Sequence, residues 1–454
     1  MTSSRYTACM DIPSFVTSVI KRLHDNGFKA YIVGGAIRDI FLGRPATDWD
    51  LATSASAEEI KELFNDIKSF SLKHETVTLV HSGSHYEITT IRDSIEKDLG
   101  HRDFTINAMA FDIDSGLVLD PNRGRKDIIE KTIRAVGDPE ERFMEDPIRL
   151  LRAVRIAVEL DFRIEKRTME TIRRMSDHLV SSARERIRDE LMKILMIERP
   201  SNGFSILRRS GLLVRIIPEL LEGYMKRQNI HHHYTIYRHI IETIDRVEPD
   251  PVMRLTALLH DIAKPRVRQR IKGKFSFLRH AEESALLAGE IMERLRLSNE
   301  VIREVTNLIE FHMINYNRNW SDGAVRRLIR RAGPDNMDDL IKFRKADLSA
   351  HGPGDGDITL LSELEKRVEA IRKGSMANQI PDLEIDGDKA MQILGISPGP
   401  DVGRVLKILL EKVTDQPELN TEDALTGILK DMKGKNVQKR MKNVGYPPAK
   451  AQFR

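Results

Sequence analysis

Two hydrophobic rhythms divide this chain. In the first third, short apolar runs alternate with turn residues. Phe15 to Leu23 carries apolar side chains at helical spacing and stops near Gly27, and Lys29 to Val33 reads as the strand that follows. Trp49 to Ala52 is a second strand, and Ser54 or Ser56 caps a helix through Phe64. Thr76 to His81 and His85 to Thr90 alternate on either side of Ser82-Gly83-Ser84, the pattern of a β-hairpin. From about Thr132 onward the spacing becomes helical and stays so, with breaks near Pro200, Pro249 to Pro251, Gly352 to Asp357 and Gly395 to Pro400. No internal repeat is visible. The expectation is an α+β chain, a small head with a mixed sheet and helices followed by a long all-α body.

The length of 454 residues exceeds what one core organises, so two to four domains are expected. Charged residues make up 31%, the formal net charge is +4 and the pI is about 8.9, which permits a polyanionic partner without requiring one. Cys9 is the single cysteine, which excludes an internal disulfide framework. No apolar run approaches the roughly 20 residues of a membrane span, and Met1 to Ile12 lacks the regions of a signal peptide, so a cytoplasmic protein is expected.

Candidate chemistry begins at Gly34-Gly35. This pair ends an apolar strand and opens a short helix from about Ala36, which frees backbone N–H groups to face phosphate oxygens, and Arg38 adds a charged donor one turn on. Asp48 and Asp50 follow. At i and i+2 of a strand they would project to one face, as hard oxygen ligands for one or two Mg²⁺ ions. An Asp-x-Asp alone is more often a solvated strand end, and the Gly-Gly context is what favours the metal.

Downstream, Asp146, Arg149, Arg152 and Arg155 recur every three residues, with Pro147 expected to open their helix. A carboxylate beside a guanidinium can imitate a base. It accepts from an exocyclic amine while the guanidinium donates to the adjacent ring acceptor, which suits C and A and rejects U and G. The bland alternative is an Asp146 helix cap with surface arginines. A basic run, including Arg163, Lys166, Arg167, Arg173, Arg174, Arg184, Arg186, Arg188 and Lys193, is either a solvated face or a track for a nucleic-acid backbone.

The motifs Gly34-Gly-Ala-Ile-Arg38-Asp39, Asp48-Trp-Asp50, Arg102-Asp103-Phe-Thr-Ile-Asn107, Glu145-Asp146-Pro-Ile-Arg149 and Glu185-Arg-Ile-Arg-Asp-Glu190 stand in one order over residues 31 to about 195. In this they resemble the class II tRNA nucleotidyltransferases, the CCA-adding enzymes and bacterial poly(A) polymerases. The resemblance implies that Asp48 and Asp50 hold Mg²⁺, that Gly34, Gly35 and Arg38 contact the triphosphate, and that Arg102 and Asp103 act near the ribose. Asp146 and Arg149 would select the base, and Arg152 and Arg155 would bind phosphate. The implied reaction is attack of a tRNA 3′-hydroxyl on the α-phosphate of CTP or ATP, with loss of pyrophosphate. Glu87 is either a third carboxylate near the metals or a surface strand position.

Two departures bear on the product. Between Thr89-Thr-Ile-Arg92 and His101 lies only Asp93 to Gly100, where full CCA-adding enzymes carry a flexible loop; the short version resembles CC-adding enzymes. His101 also stands where the family has an arginine.

The helical body holds His239, His260-Asp261, His280, His312 and Asp347, a set similar to the HD superfamily of metal phosphohydrolases, with Leu255 to Lys264 as its core. Imidazoles and carboxylates together suit Mn²⁺, Ni²⁺, Co²⁺, Zn²⁺ or Fe²⁺. The alternative is a relic that packs against tRNA. Further on, Gly399-Pro400 opens a helix from about Val402, either a tRNA phosphate contact or a plain tail helix, and Lys433 to Arg454 is a basic end. The expected domains are a head (1–135), a helical neck for base selection and tRNA (136–225), an HD domain (226–352) and a helical tail (353–454). The competing functions are a full CCA-adding enzyme, a poly(A) polymerase, an HD phosphohydrolase with a vestigial head, and a non-enzymatic RNA-binding protein.

Overall fold

A computed structural model describes residues 11–72, 76–91, 93–228, 233–351, 358–373 and 380–434. Cys9, Arg92, the break at Gly352 to Asp357 and the basic end beyond residue 434 lie outside the described residues. The chain forms two compact units, Met1–Leu221 and Glu222–Arg454.

The first unit opens with α1 (Ser14–Asp25), which buries Val16, Val19, Ile20 and Leu23, the stripe its periodicity predicts. Then come β1 (Ala30–Val33), α2 (Gly35–Phe41), β2 (Trp49–Thr53) and α3 (Ala57–Leu63). Ser56 is the cap of α3, in a reciprocal capping box with Glu59. β3 (Ser69–Leu72), β4 (Thr76–His81) and β5 (Ser84–Thr90) follow, and Ser82 and Gly83 both take positive φ, as a tight hairpin turn requires. α4 (Ile95–Gly100), β6 (Ala110–Asp112), β7 (Leu117–Leu119) and α5 (Gly124–Ile129) complete the head. The sheet has the order β3-β4-β5-β2-β1-β6-β7, with β2 and β5 parallel and the other pairs antiparallel.

The helical part of this unit holds α6 (Pro139–Glu145), α7 (Arg149–Leu160), α8 (Lys166–Met175), α9 (Arg184–Leu195) and α10 (Pro200–Arg209), then the short α11 (Leu213–Ile216) and α12 (Pro218–Leu221). The helical pattern expected from about Thr132 is broken at two places here, by the paired two-residue strands β8 (Thr132–Ile133) and β9 (Arg163–Ile164). Pro147 does not open its helix directly. A residue before proline is driven to extended backbone, so Asp146 (φ −151°, ψ 97°) ends α6, and α7 starts two residues after the proline.

The second unit is helical: α13 (Ile236–Ile244), α14 (Pro251–Leu259), the short α15 (Lys264–Val267), α16 (His280–Arg294), α17 (Asn299–Phe311), α18 (Asp322–Ala332), α19 (Met337–Ser349) and α20 (Ile358–Arg372). The small hairpin β10 (Gln269–Ile271) and β11 (Lys274–Ser276) was not legible in the sequence. α21 (Gly387–Leu394), α22 (Pro400–Asp415) and α23 (Glu422–Gly434) pack around a core of their own, with Leu394, Val405, Leu409 and Leu425 at its centre. Pro400 is the first residue of α22, two positions ahead of the expected start.

Candidate active site and metal centre

The turn after β1 sets the geometry of the head. Gly34 has φ +79°, and a Cβ there would lie 3.0 Å from Asp50 Oδ2 and 3.2 Å from Arg102 Nη1, so only glycine lets the backbone pass this close to the carboxylate. Asp50 lies within β2, while Asp48 precedes the strand, whose first residue is Trp49. Glu87 is level with Asp50 in the parallel β5 register and is exposed. Burial pushes the Asp50 carboxyl up to about 6; Arg102 opposes the rise, and the charges of Glu87 and Asp48 add to it. A crowd of carboxylates in which one resists ionisation is a donor set that a hard cation relieves, so these residues fit Mg²⁺.

A cleft of about 440 Å³ collects nearly every head residue singled out from the sequence: Gly34, Gly35, Arg38, Asp48, Asp50, Arg102, Asp103, Asp146, Arg149, Arg152 and Arg155. Glu87 does not line it. Arg38 is buried with its fork on Asp39 and one nitrogen on Asn107. Asp103 is buried 2.9 Å from Arg152, and although burial works against it, Arg152 holds its carboxyl below the usual range. Arg155 bonds Glu190 and Glu159. Arg149 bonds Glu145, the carbonyl of Arg142 and the carbonyl of His101. Asp146 does not pair with Arg149 in this structure; it is held by Arg186, at 2.9 and 2.8 Å. The Asp146 carboxylate also receives the Ile148 N–H at 3.4 Å, but Asp146 does not cap α7, whose N-cap is Ile148 without a side-chain bond; it ends α6 and lines the cleft. His101 lines the cleft too, 3.0 Å from Arg142 and 3.4 Å from Glu145.

In the second unit, His239 on α13, His260 and Asp261 after α14, His280 opening α16, His312 after α17 and Asp347 on α19 meet in one buried centre. His260, His280 and His312 each place Nδ1 on the carbonyl three residues back, at 3.0, 2.8 and 2.6 Å. A carbonyl only accepts, so the proton sits on Nδ1 and each Nε2 is turned to the centre, as metal-ligating histidines are arranged. Asp261 Oδ1 and His280 Nε2 are buried 3.6 Å apart without a hydrogen bond, and His312 Nε2 lies 3.8 Å from the same oxygen. Asp261 Oδ2 faces the other group, 3.4 Å from His239 Nε2 and 3.2 Å from His260 Nε2, and Asp347 Oδ1 is 3.0 Å from His239. Among the described residues, the triads whose ligand atoms lie within 4.8 Å of one another are all here: His239–Asp347–His351, His239–His260–Asp261 and Asp261–His280–His312. Lys264 approaches Asp261 at 2.6 Å and Arg344 pairs with Asp347, balancing the two buried carboxylates. Buried imidazole nitrogens and carboxylate oxygens left without hydrogen bonds, among them Asp261 Oδ1, His280 Nε2 and Asp347 Oδ1, are a donor set that would suit a divalent transition metal.

The head matches the family model described as the poly A polymerase head domain, over residues 30–94 and 92–134. Residues 275–429 match the model described as "tRNA nucleotidyltransferase domain 2 putative", and 161–223 the model described as "Probable RNA and SrmB-binding site of polymerase A". The chain is 32% identical over 427 residues to the CC-adding tRNA nucleotidyltransferase of Thermus thermophilus, covering 90% of this chain and 95% of the relative. It is 31% identical over 403 residues to the A-adding tRNA nucleotidyltransferase of Deinococcus radiodurans, covering 84% and 91%. The chain belongs to the class II tRNA nucleotidyltransferases, the family of the CCA-adding enzymes.

Solved relatives agree with this nucleotidyltransferase in fold. The Bacillus stearothermophilus CCA-adding enzyme in complex with CTP superposes with a TM-score of 0.68 at 25% identity, over 94% of this chain and 98% of that one. The Thermotoga maritima CCA-adding enzyme complexed with tRNA gives 0.57 at 22%, over 95% and 99%. No described helix of the nucleotidyltransferase is long and apolar enough to cross a membrane.

Sequence reasoning missed three partners in these sites. Arg186 belongs to a basic run and to the Glu185–Glu190 motif, and neither signals its pair with Asp146, which closes across forty residues. His351 stands four residues after Asp347, the spacing that brings two side chains to one helical face, and that signal was available. Asn107 closes the Arg102–Asn107 motif, whose spacing assigns it no role, and in the structure it bridges Arg38 and Asp103.

Proposed function

We propose that this nucleotidyltransferase extends tRNA 3′ ends from CTP and stops after two C residues. The observation that carries the transferase reading is the single cleft in which the Gly34-Gly35 turn, the Asp48 and Asp50 carboxylates and the Asp146–Arg149 corner converge. Mg²⁺ held by Asp48 and Asp50, with Glu87 alongside, would polarise the α-phosphate and favour ionisation of the attacking hydroxyl. The protein's own groups do the placing. Gly34 and Gly35 present backbone toward the triphosphate, Arg38 is locked as a charged wall by Asp39 and Asn107, and Arg152 fixes Asp103 beside the ribose position. Asp146 accepts from the amine of C or A and Arg149 donates to the neighbouring ring acceptor. tRNA lies along the basic helical part, where the matched model is an RNA-binding one.

Support for stopping at CC comes from the segment before His101. Ser94 caps α4, which runs to Gly100, so a short ordered helix fills the interval in which a flexible loop would sit. The match to the head model is likewise broken into two stretches that meet at residues 92–94. Replacing Asp48 by Ala tests the transferase assignment: CMP incorporation into tRNA should fall at least a thousandfold with tRNA binding retained, and persistent incorporation would refute the role of this carboxylate.

The buried His/Asp centre supports a second reading, that of a dinuclear site for a transition metal able to hydrolyse a phosphoester. The two orphaned groups, Asp261 Oδ1 and His280 Nε2, favour it over a relic.

A further inference from the structure

We propose that Arg186 is a specificity-positioning residue, a clamp that holds the Asp146 carboxylate in the one orientation from which it accepts a base amine. The inference rests on the reading of Asp146 as the group that meets the base. Asp146 sits in an extended corner between α6 and α7, on a side chain with two rotatable bonds. Left alone it would swing. Arg186, reaching across from α9, takes both oxygens at once, Nη1 to Oδ1 at 2.9 Å and Nη2 to Oδ2 at 2.8 Å. A bidentate fork fixes the plane of the carboxylate as well as its position.

The fork also decides what the carboxylate can still do. Each oxygen has two lone pairs, and the guanidinium occupies one on each. The Ile148 N–H approaches Oδ1 at 3.4 Å. The second lone pair of Oδ2 is then the acceptor left for a donor in the cleft that Asp146 lines. A carboxylate so held offers acceptors only. It rewards the amine of C or A and repels the carbonyl that U or G would present there.

Arg149 is fixed by a separate set of bonds, to Glu145 and to two backbone carbonyls. The two reading groups are therefore held independently, each by its own partner, and neither relies on the other or on the nucleotide for its orientation. Preorganisation of this kind matters because a displacement of about 1 Å in a reading group costs on the order of a hundredfold. Arg186 is 53% exposed and Asp146 25%, so the pair is a weak contributor to folding and its removal leaves a folded protein.

The experiment is steady-state incorporation with full-length protein, Mg²⁺ and tRNA ending at the discriminator base, comparing CTP with UTP for wild type, Arg186→Ala, Arg186→Lys, Asp146→Ala and the double Ala variant. Arg186→Ala should lower the preference for CTP over UTP by about ten- to a hundredfold, chiefly through KM for CTP, with KM for tRNA unmoved. Arg186→Lys, a point charge without the fork, should restore only part of it. In the Asp146→Ala background, loss of Arg186 should change selection no further. If Asp146→Ala blunts selection and Arg186→Ala does not, the clamp is refuted while the base reading stands. If Asp146→Ala leaves selection intact, the base reading itself fails and the clamp with it. A rise in KM for tRNA with selection preserved would make Arg186 a phosphate contact and overturn the proposal.

Discussion

Replacing Asp50 by Asn removes the charge that the head holds at greatest cost. Burial, with Glu87 and Asp48 adding to it, pushes this carboxyl from 3.8 up to about 6. A displacement of that size corresponds to about 3 kcal/mol at roughly 1.36 kcal/mol per unit, and water reaching the strand end reduces the expectation to about 1–2 kcal/mol. The folded-state value is the raised one. Stability is therefore complete below the unfolded value near 3.8, declines as pH rises from there to about 6, and is lowest above it. Asp50→Asn escapes that decline. In EDTA the variant should be more stable than wild type at pH 8 by about 1–2 kcal/mol, or roughly 2–8 °C in the melting of the head, and equal to it near pH 4. Adding Mg²⁺ should narrow the gap at pH 8, because only the wild type gains a ligand for the cation. Incorporation by the variant should be abolished. Urea titrations at the two pH values, followed by a probe in the head, read the effect directly. Equal stability at pH 8, or a gain that persists unchanged at pH 4, would refute the electrostatic account of this site.

Other outcomes follow from the same geometry. Gly34→Ala should lower kcat/KM for CTP at least a hundredfold and destabilise the head by about 1–2 kcal/mol, since the new Cβ meets Asp50 Oδ2 in a backbone conformation that L-residues avoid; wild-type kinetics would refute the close-approach argument. Asp261→Ala removes the carboxylate shared by two buried triads, so metal analysis after dialysis against Mn²⁺ or Ni²⁺ should show both equivalents lost while CMP incorporation persists. Retention of the metal would mean that Asp261 does not bridge. His351→Ala should weaken metal affinity about tenfold, and unchanged affinity would leave His351 outside the ligand set.

Much of this was legible in the chain because the decisive signals are local. The run from Ala30 to Asp50 places strand, turn, helix and carboxylates within twenty-one residues, and the hairpin turn at Ser82-Gly83 announces itself by composition. Strands β3, β6 and β7 did not. They are three or four residues long and are defined by partners elsewhere in the sheet, so their own periodicity is too short to read. The i, i+2 spacing predicts that Asp48 and Asp50 share one strand face, yet β2 begins at Trp49 and its pairing with β1 at Asp50 opposite Val33, which leaves Asp48 in the approach. The Asp146–Arg186 clamp was hidden for a different reason: ion pairs between helices leave no spacing rule in the sequence. The histidines and aspartates that gather in the second unit stand out in the sequence, but the Nδ1 bonds that orient them depend on helix ends, which sequence reads least well.

The most direct test of the central claim is incorporation by the purified protein with Mg²⁺ on tRNA ending at the discriminator base, supplied with CTP alone, ATP alone and both. A product two nucleotides longer with CTP, unchanged when ATP is added and absent with ATP alone, is the predicted result. A third nucleotide in the presence of both would contradict CC addition and the argument from the short segment before His101, and no extension under any condition would contradict the transferase assignment itself.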